Sequence, residues 1–112
     1  MKFVDKPLSL KEIKFIGDKY GEYIKVTVDI ERKVLVAGCK LHADGEKILI
    51  EKNSRQDDIW GGGISLGTKE IDSTAVLNIR PILNNSSLEI LDPKRRKKLI
   101  NTVTRLFAKL WD

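Results

Sequence analysis

The sequence has very little of the residue types that build disulfides and metal sites. Its 112 residues include one cysteine and one histidine. A single cysteine excludes an internal disulfide, and the pair excludes the usual structural zinc sites. No apolar run approaches the ~18 residues that a membrane helix needs. The first residues carry no apolar signal segment. We therefore expect a cytoplasmic protein without a membrane partner.

The composition is that of one globular domain spanning residues 1–112. Hydrophobic residues make up 41% of the chain and charged residues 33%, which is ordinary for a folded domain. The net charge of +5 is unevenly distributed, because residues 93–112 hold seven of the 21 cations and one of the 16 anions. This asymmetry indicates an anionic partner.

The first half of the chain carries clear local signals. Ser9 and Glu12 form a capping-box pattern, which predicts a helix over residues 10–20 that ends at Gly21. Strict alternation predicts a strand over 24–30, and a turn at 32–33 leads into a second strand over 34–38. A hairpin is the simplest connection between these strands.

The second half predicts two more strands and a helix. The strands are expected at about 58–66 and 71–80, the second ending at Pro81. Asp92 and Pro93 then begin a helix, whose buried face consists of Leu99, Val103, Leu106, Phe107 and Leu110. The expected fold is α+β, with a mostly antiparallel sheet of four to five strands and two to three helices packed on one face.

Residues 41–53 fit two structures. Asp44-Gly45 between apolar residues is typical of a tight hairpin turn, which would make 47–51 a strand. Leu41, Ile48 and Leu49 instead fit one face of a helix, with Asn53 at its end. The residue pattern alone does not separate the two.

Candidate catalytic residues lie in and after this segment. His42, Asp44 and Glu46 alternate, so a strand would place them on one face as an acid–base or metal cluster, whereas a helix would spread them apart. Asp58 is a further carboxylate that could orient His42. Cys39 is close enough in sequence for a thiolate–imidazole pair, although a buried inert thiol is the more common arrangement.

A glycine triplet at 61–63 follows Trp60, and it indicates a bulge, a bend or a close approach to a side chain or ligand. Trp60 fits either the core or a pocket wall. Arg80 is expected either to pair with Asp57, Asp58 or Glu46, or to orient an anionic ligand. We predict a ligand pocket formed by His42, Gln56, Trp60 and Arg80.

The last helix carries a basic face over residues 94–109. Three cations stand in its first turn, where the helix dipole disfavours them, so an anion seat is one explanation and a solvated face is the other. The candidate anion-binding residues are Lys94, Arg95, Lys98 and Arg105. Nucleic acid is one possible polyanion, but the aromatic residues that stack on single strands are missing.

Four segments resemble a family of small uncharacterised prokaryotic proteins, which is catalogued as a domain of unknown function. They are Val28–Glu31, the Leu-His-Ala-Asp-x-Glu run at 41–46, the Ser-x-Gln-x-Asp-Ile-Trp-Gly run at 54–61, and Asn-Ile-Arg-Pro at 78–81 before an Asn-x-Ser turn. The resemblance covers nearly the whole chain and implies no activity. In similar sequences position 45 is often alanine, which favours a helix over residues 43–53.

Three hypotheses follow. The first is a module that binds an anionic ligand or nucleic acid, with the basic helix as a steering surface. The second is a small hydrolase-like enzyme that uses His42 as a base with nearby carboxylates. The third is an interaction module that forms homo-oligomers. The sequence assigns no cofactor and no metal.

Overall fold

The chain forms five β-strands and three α-helices in a computed structural model that describes all 112 residues. In chain order these are β1 (Lys2–Val4), α1 (Leu10–Tyr20), β2 (Tyr23–Asp29), β3 (Val34–Ala37), α2 (His42–Glu51), β4 (Ile59–Ser65), β5 (Ile71–Asp72) and α3 (Pro93–Leu106). The strands make one antiparallel sheet in the order β1-β3-β2-β4-β5. The predicted α+β class is confirmed. No helix is both long and apolar enough to span a bilayer.

Local signals determine where α1 begins and ends. The Ser9 hydroxyl accepts a hydrogen bond from the Glu12 amide at 3.1 Å, and the Glu12 carboxylate accepts one from the Ser9 amide at 2.9 Å. Both halves of the predicted capping box are therefore present. Gly21 ends the helix with a φ of 94°, which is costly for residues with a side chain.

The sheet has a helix layer on each face. Ile24, Val26 and Val28 of β2 point into the larger core, where they pack with buried residues of α1 and α3. Helix α2 lies on the opposite face, where Leu49 packs with Val36 and Ile59. The expected packing on one face thus holds for α1 and α3, while α2 covers the other side.

The ambiguous segment at 41–53 is a helix, as the family resemblance favoured, and the hairpin alternative is wrong. Asn53 follows it with a φ of 72°, the left-handed conformation that often ends a helix. Gly45 lies where α2 crosses β2, and an added Cβ would come within 2.5 Å of the Thr27 hydroxyl oxygen. An alanine at this position would therefore require the Thr27 side chain to move, because the helix packs very close to the sheet.

The strand predicted at 71–80 is only two residues long. After Asp72 the chain becomes irregular, with short 3₁₀ turns at Val76–Asn78 and Pro81–Leu83. The side chain of Asn78 takes the place that a strand would occupy beside β4. It accepts a hydrogen bond from the Gly61 amide at 2.8 Å and donates one to the Gly61 carbonyl at 2.9 Å. Alternation of apolar residues could not reveal this substitution of an amide side chain for a strand.

A second buried asparagine holds the rest of the irregular segment. The Asn85 side-chain amide donates to the carbonyls of Asn78, Ser87 and Glu89, and its oxygen accepts from the Leu91 amide. Both asparagines are fully buried. They therefore supply hydrogen bonds that a regular sheet would otherwise provide to this backbone.

Helix α3 begins as predicted. The Asp92 carboxylate accepts a hydrogen bond from the Lys94 amide, and Pro93 is the first helical residue. Of the predicted buried face, Leu99, Val103, Leu106 and Phe107 are fully buried, while Leu110 is packed at the margin of the core.

Replacing Asn78 with aspartate should destabilise the protein strongly. Asn78→Asp removes the amide donor that serves the carbonyls of Gly61, Ser73 and Leu88, and it places a carboxylate against them. We expect a loss of about 3 kcal/mol or more in the free energy of unfolding, measured by urea denaturation. Asn101→Asp, at an exposed position of α3, is the matched control and should change stability by less than about 1 kcal/mol. Equal losses in the two variants would contradict this role for Asn78.

Candidate functional site

The three consecutive glycines of β4 allow neighbouring groups to approach the strand closely. An added Cβ at Gly61 would come within 2.8 Å of the His42 ring and 2.6 Å of the Ala75 side chain. At Gly63 an added Cβ would overlap the phenol of Tyr23, and at Gly62 it would overlap the carbonyl of Asp72. The predicted close approach to a side chain is therefore present at two of the three positions.

The imidazole of His42 packs against this part of β4. Its Nε2 is 2.8 Å from the carbonyl oxygen of Gly62. Because a carbonyl oxygen only accepts hydrogen bonds, we assign the ring proton to Nε2. The Cγ and Cδ2 atoms face Gly61, so Nδ1 lies on the ring edge that points away from the strand. Nδ1 has no hydrogen-bond partner in the protein and is not fully buried.

The surroundings of His42 favour its neutral form. Burial lowers the pKa of His42 below its ordinary value of 6.5, and the ammonium of Lys25 lowers the pKa further. The hydrogen bond to Gly62 and the carboxylate of Asp72 oppose the shift without reversing it. Asp72 is itself engaged, since it accepts a hydrogen bond of 2.7 Å from the Tyr23 hydroxyl. His42 is therefore a neutral group with one open acceptor nitrogen.

A cavity of about 400 Å³ opens beside His42, and we call it the His42 cavity. Its lining is mainly apolar and consists of Lys25, Leu41, His42, Ala43, Val76 and Leu77. Three of these residues form the N-terminal end of α2, where Leu41 offers no side-chain acceptor to the amides of the first turn. Lys25 donates one hydrogen bond, of 2.8 Å, to the Lys40 carbonyl, which leaves two ammonium donors.

The other predicted pocket residues form a separate cluster. Arg80 donates to the Gln56 carbonyl at 2.9 Å and to the Glu46 carboxylate at 3.1 Å. Its guanidinium lies 5.1 Å from the ring centre of Trp60, and that of Arg95 lies 4.8 Å from it. Trp60 is fully buried and donates its indole N–H to the Asp57 carbonyl. Arg80 thus links α2, the turn before β4 and the irregular segment.

His42 is not part of this cluster. Trp60 belongs to the larger core, and none of Gln56, Trp60 and Arg80 lines the His42 cavity. The structure therefore divides the four predicted ligand residues into the cluster around Trp60 and the cavity beside His42. Of the pairings expected for Arg80, the one with Glu46 is present.

The candidate carboxylates do not gather around His42. Asp44 is exposed on α2, Glu46 is paired with Arg80, and no carboxylate accepts a hydrogen bond from the imidazole. For Asp58, burial raises the pKa, and the charged groups that act on it are Arg55, Asp29, Glu31 and Asp57, without His42. No three His, Cys, Asp or Glu side chains are grouped so that they could hold a metal ion.

Cys39 is a buried thiol that makes no hydrogen bond to His42. Its sulfur lies 3.6 Å from the Thr27 hydroxyl oxygen and 3.9 Å from the Lys25 carbonyl oxygen. Burial raises the pKa of the thiol, which keeps it protonated at neutral pH. The thiolate–imidazole pair considered from the sequence is not formed.

Most cations of the basic helix have partners within the protein. Arg95 donates to the Leu83 carbonyl and Arg105 to the Lys33 carbonyl. Lys98 forms a 2.6 Å ion pair with Glu31. Among the four candidate anion-binding residues, only Lys94 has a side chain without such a contact. Fewer of these cationic side chains are therefore free to reach a polyanion than the sequence count indicates, although Arg95 and Arg105 keep their charge.

Sequence reasoning missed Lys25, Val76 and Leu77 as parts of the site. Lys25 belongs to the alternating pattern of β2, where a lysine on the wet face needs no further explanation. Val76 and Leu77 lie in the segment that was predicted to be a strand. The sequence carries no signal for these two residues, since the 76% exposure of Val76 is a property of the folded chain.

A family model matches nearly the whole chain. Residues 2–106 match the family described as "Protein of unknown function (DUF5674)". The chain belongs to this family. The resemblance inferred from the four sequence segments is thereby confirmed. No curated protein and no solved structure matches the chain significantly. The description of the DUF5674 family names no activity.

Adding a methyl group at Gly61 should displace the His42 ring. In Gly61→Ala the new Cβ overlaps both the imidazole and the Ala75 side chain. We expect a loss of about 1–3 kcal/mol in the free energy of unfolding, together with a His42 pKa closer to 6.5 as the ring becomes solvated. Gly67→Ala is the control, because the only neighbour there is the flexible side chain of Glu22. An unchanged His42 pKa, followed by NMR, would show that Gly61 does not position the ring.

The stability of the protein should depend on the protonation of His42. In the unfolded chain His42 takes up a proton near pH 6.5, whereas in the folded chain it does so only at lower pH. Its contribution is therefore complete above pH 6.5 and is lost as the pH falls from 6.5 towards the folded pKa. Urea unfolding between pH 7.5 and 5.5 should show this loss for the wild type and a flatter profile for His42→Gln. Parallel profiles would refute it.

Proposed function

We propose that the protein is a binding module for a small anionic ligand with an apolar body. The observation that carries this proposal is the His42 cavity, in which an uncapped helix N-terminus meets a lysine ammonium inside a mainly apolar lining. Small-molecule sites have this composition, with few polar groups in an apolar concavity. A volume of about 400 Å³ suits a ligand of roughly 10–15 non-hydrogen atoms.

The charges at the cavity favour an anion. The amides of the first turn of α2 carry the positive end of the helix dipole and have no capping side chain. Lys25 adds a full positive charge with two free donors. Asp44 also stands in the first turn of α2, but its side chain is not among the cavity lining. The anionic group of the ligand is therefore expected between Lys25 and the start of α2.

The apolar part of the ligand would contact Leu41, Val76 and Leu77. Leu41 is 62% exposed and Val76 is 76% exposed, so both hold apolar surface in water when the cavity is empty. Covering this surface supplies the hydrophobic part of the affinity. Inorganic phosphate has no apolar part, so we expect it to bind weakly.

Binding of simple aromatic acids tests the proposal. In ¹H–¹⁵N NMR titrations, 3-phenylpropionate should bind with a Kd on the order of 1 mM and shift the amides of residues 42–44, whereas its neutral methyl ester should bind more weakly. Lys25→Met should weaken binding of the acid about tenfold. Lys47→Met, at an exposed position of α2, should leave the Kd unchanged.

Two outcomes would contradict the proposal. One is the absence of saturable shifts at residues 42–44 with the acid. The other is an equal loss of affinity in Lys25→Met and Lys47→Met, which would mean that only the overall net charge matters.

A further inference from the structure

The hydrogen-bonding state of His42 restricts which anions can occupy the His42 cavity. Nε2–H of His42 donates its hydrogen bond to the carbonyl of Gly62, so a neutral His42 has no N–H left for a ligand. What it offers is the lone pair on Nδ1, at the ring edge away from β4. An anion placed against that lone pair would be repelled, since both groups are acceptors.

We propose that the natural ligand carries a hydrogen-bond donor beside its anionic group, as a 2-hydroxy acid does. The donor would bind Nδ1 of His42 while the carboxylate meets Lys25 and the first turn of α2. This inference rests on the proposed binding function and specifies the class of ligand. His42 acts in it as a specificity-determining residue and takes part in no reaction.

The groups around His42 support the acceptor role. Lys25 lies on the cavity side, and its positive charge opposes protonation of the imidazole. On the strand side, Asp72 favours protonation, but its carboxylate already accepts the hydrogen bond from Tyr23. Burial of the ring is the largest effect, and together with the charge of Lys25 it lowers the pKa of His42. At neutral pH, Nδ1 of His42 can therefore accept a hydrogen bond from an O–H or N–H group of the ligand.

The alternative is an anion that brings a proton to His42. A ligand without a donor could place its carboxylate at Nδ1 only if the imidazole became protonated on binding. Its affinity would then rise as the pH falls, by at most tenfold per pH unit. A ligand with its own donor needs no proton uptake, so its affinity should not rise as the pH falls. The pH profile thus distinguishes the two binding modes.

The test compares two acids that differ by one hydroxyl group, 3-phenyllactate and 3-phenylpropionate. Kd values are measured for the wild-type protein by NMR titration between pH 5.5 and 8.0, where both acids are ionised. At pH 7.5 we expect 3-phenyllactate to bind about fivefold more tightly. Its Kd should not decrease as the pH is lowered, whereas the Kd of 3-phenylpropionate should decrease.

His42→Phe provides the matched variant, because it keeps an aromatic ring over Gly61 and removes both nitrogens. In it the two acids should bind equally and without pH dependence. If this variant does not fold, the wild-type comparison alone decides.

The outcomes separate this inference from the function on which it rests. Equal, pH-independent binding of both acids to the wild type would overturn the donor requirement and leave the anion pocket standing. No binding of either acid would overturn both.

Discussion

The absence of side chains at positions 61–63 is the constraint on which the rest of this structure depends. Strand β4 lies inside the sheet, and three side chains approach its bare backbone. The His42 ring covers Gly61 and bonds Gly62, the Tyr23 phenol covers Gly63, and the Asn78 amide pairs with the edge of Gly61. Ordering three glycines costs conformational entropy, which such contacts must offset. The same contacts also fix the only histidine in one tautomer.

Two buried asparagine side chains form hydrogen bonds to the backbone of the irregular segment after β5. A regular strand beside β4 would have closed the sheet edge, but it would also have placed a continuous ladder where the His42 cavity now opens. Asn78 and Asn85 instead satisfy the backbone through their side chains, so the chain can turn at Val76–Asn78 and bring Val76 and Leu77 over the start of α2. The buried polar network therefore supplies hydrogen bonds to this irregular backbone beside an open, apolar-lined cavity.

The sequence was sufficient where the determining contacts are local. The capping box at Ser9, the hairpin after β2 and the start of α3 at Asp92 each depend on residues within a few positions, and all three are present. The sequence was insufficient where a residue far away in the chain determines the local structure. The strand predicted at 71–80 is replaced because Asn78 reaches across to Gly61, and Trp60 lies in the core rather than beside His42 because β4 turns that face towards α3. The close approach indicated by the glycine triplet was correct, but only the fold identifies His42 and Tyr23 as the groups involved.

The central claim is that His42 is neutral, with its proton on Nε2 and an open acceptor at Nδ1. A long-range ¹H–¹⁵N correlation spectrum of the imidazole at pH 7 tests it most directly, because protonated and unprotonated ring nitrogens have well-separated ¹⁵N shifts. The structure predicts a protonated Nε2 and an unprotonated Nδ1, and this pattern should be lost in Gly61→Ala. A proton on Nδ1, or a doubly protonated ring at pH 7, would contradict the assigned hydrogen bond to Gly62 and the acceptor role that follows from it.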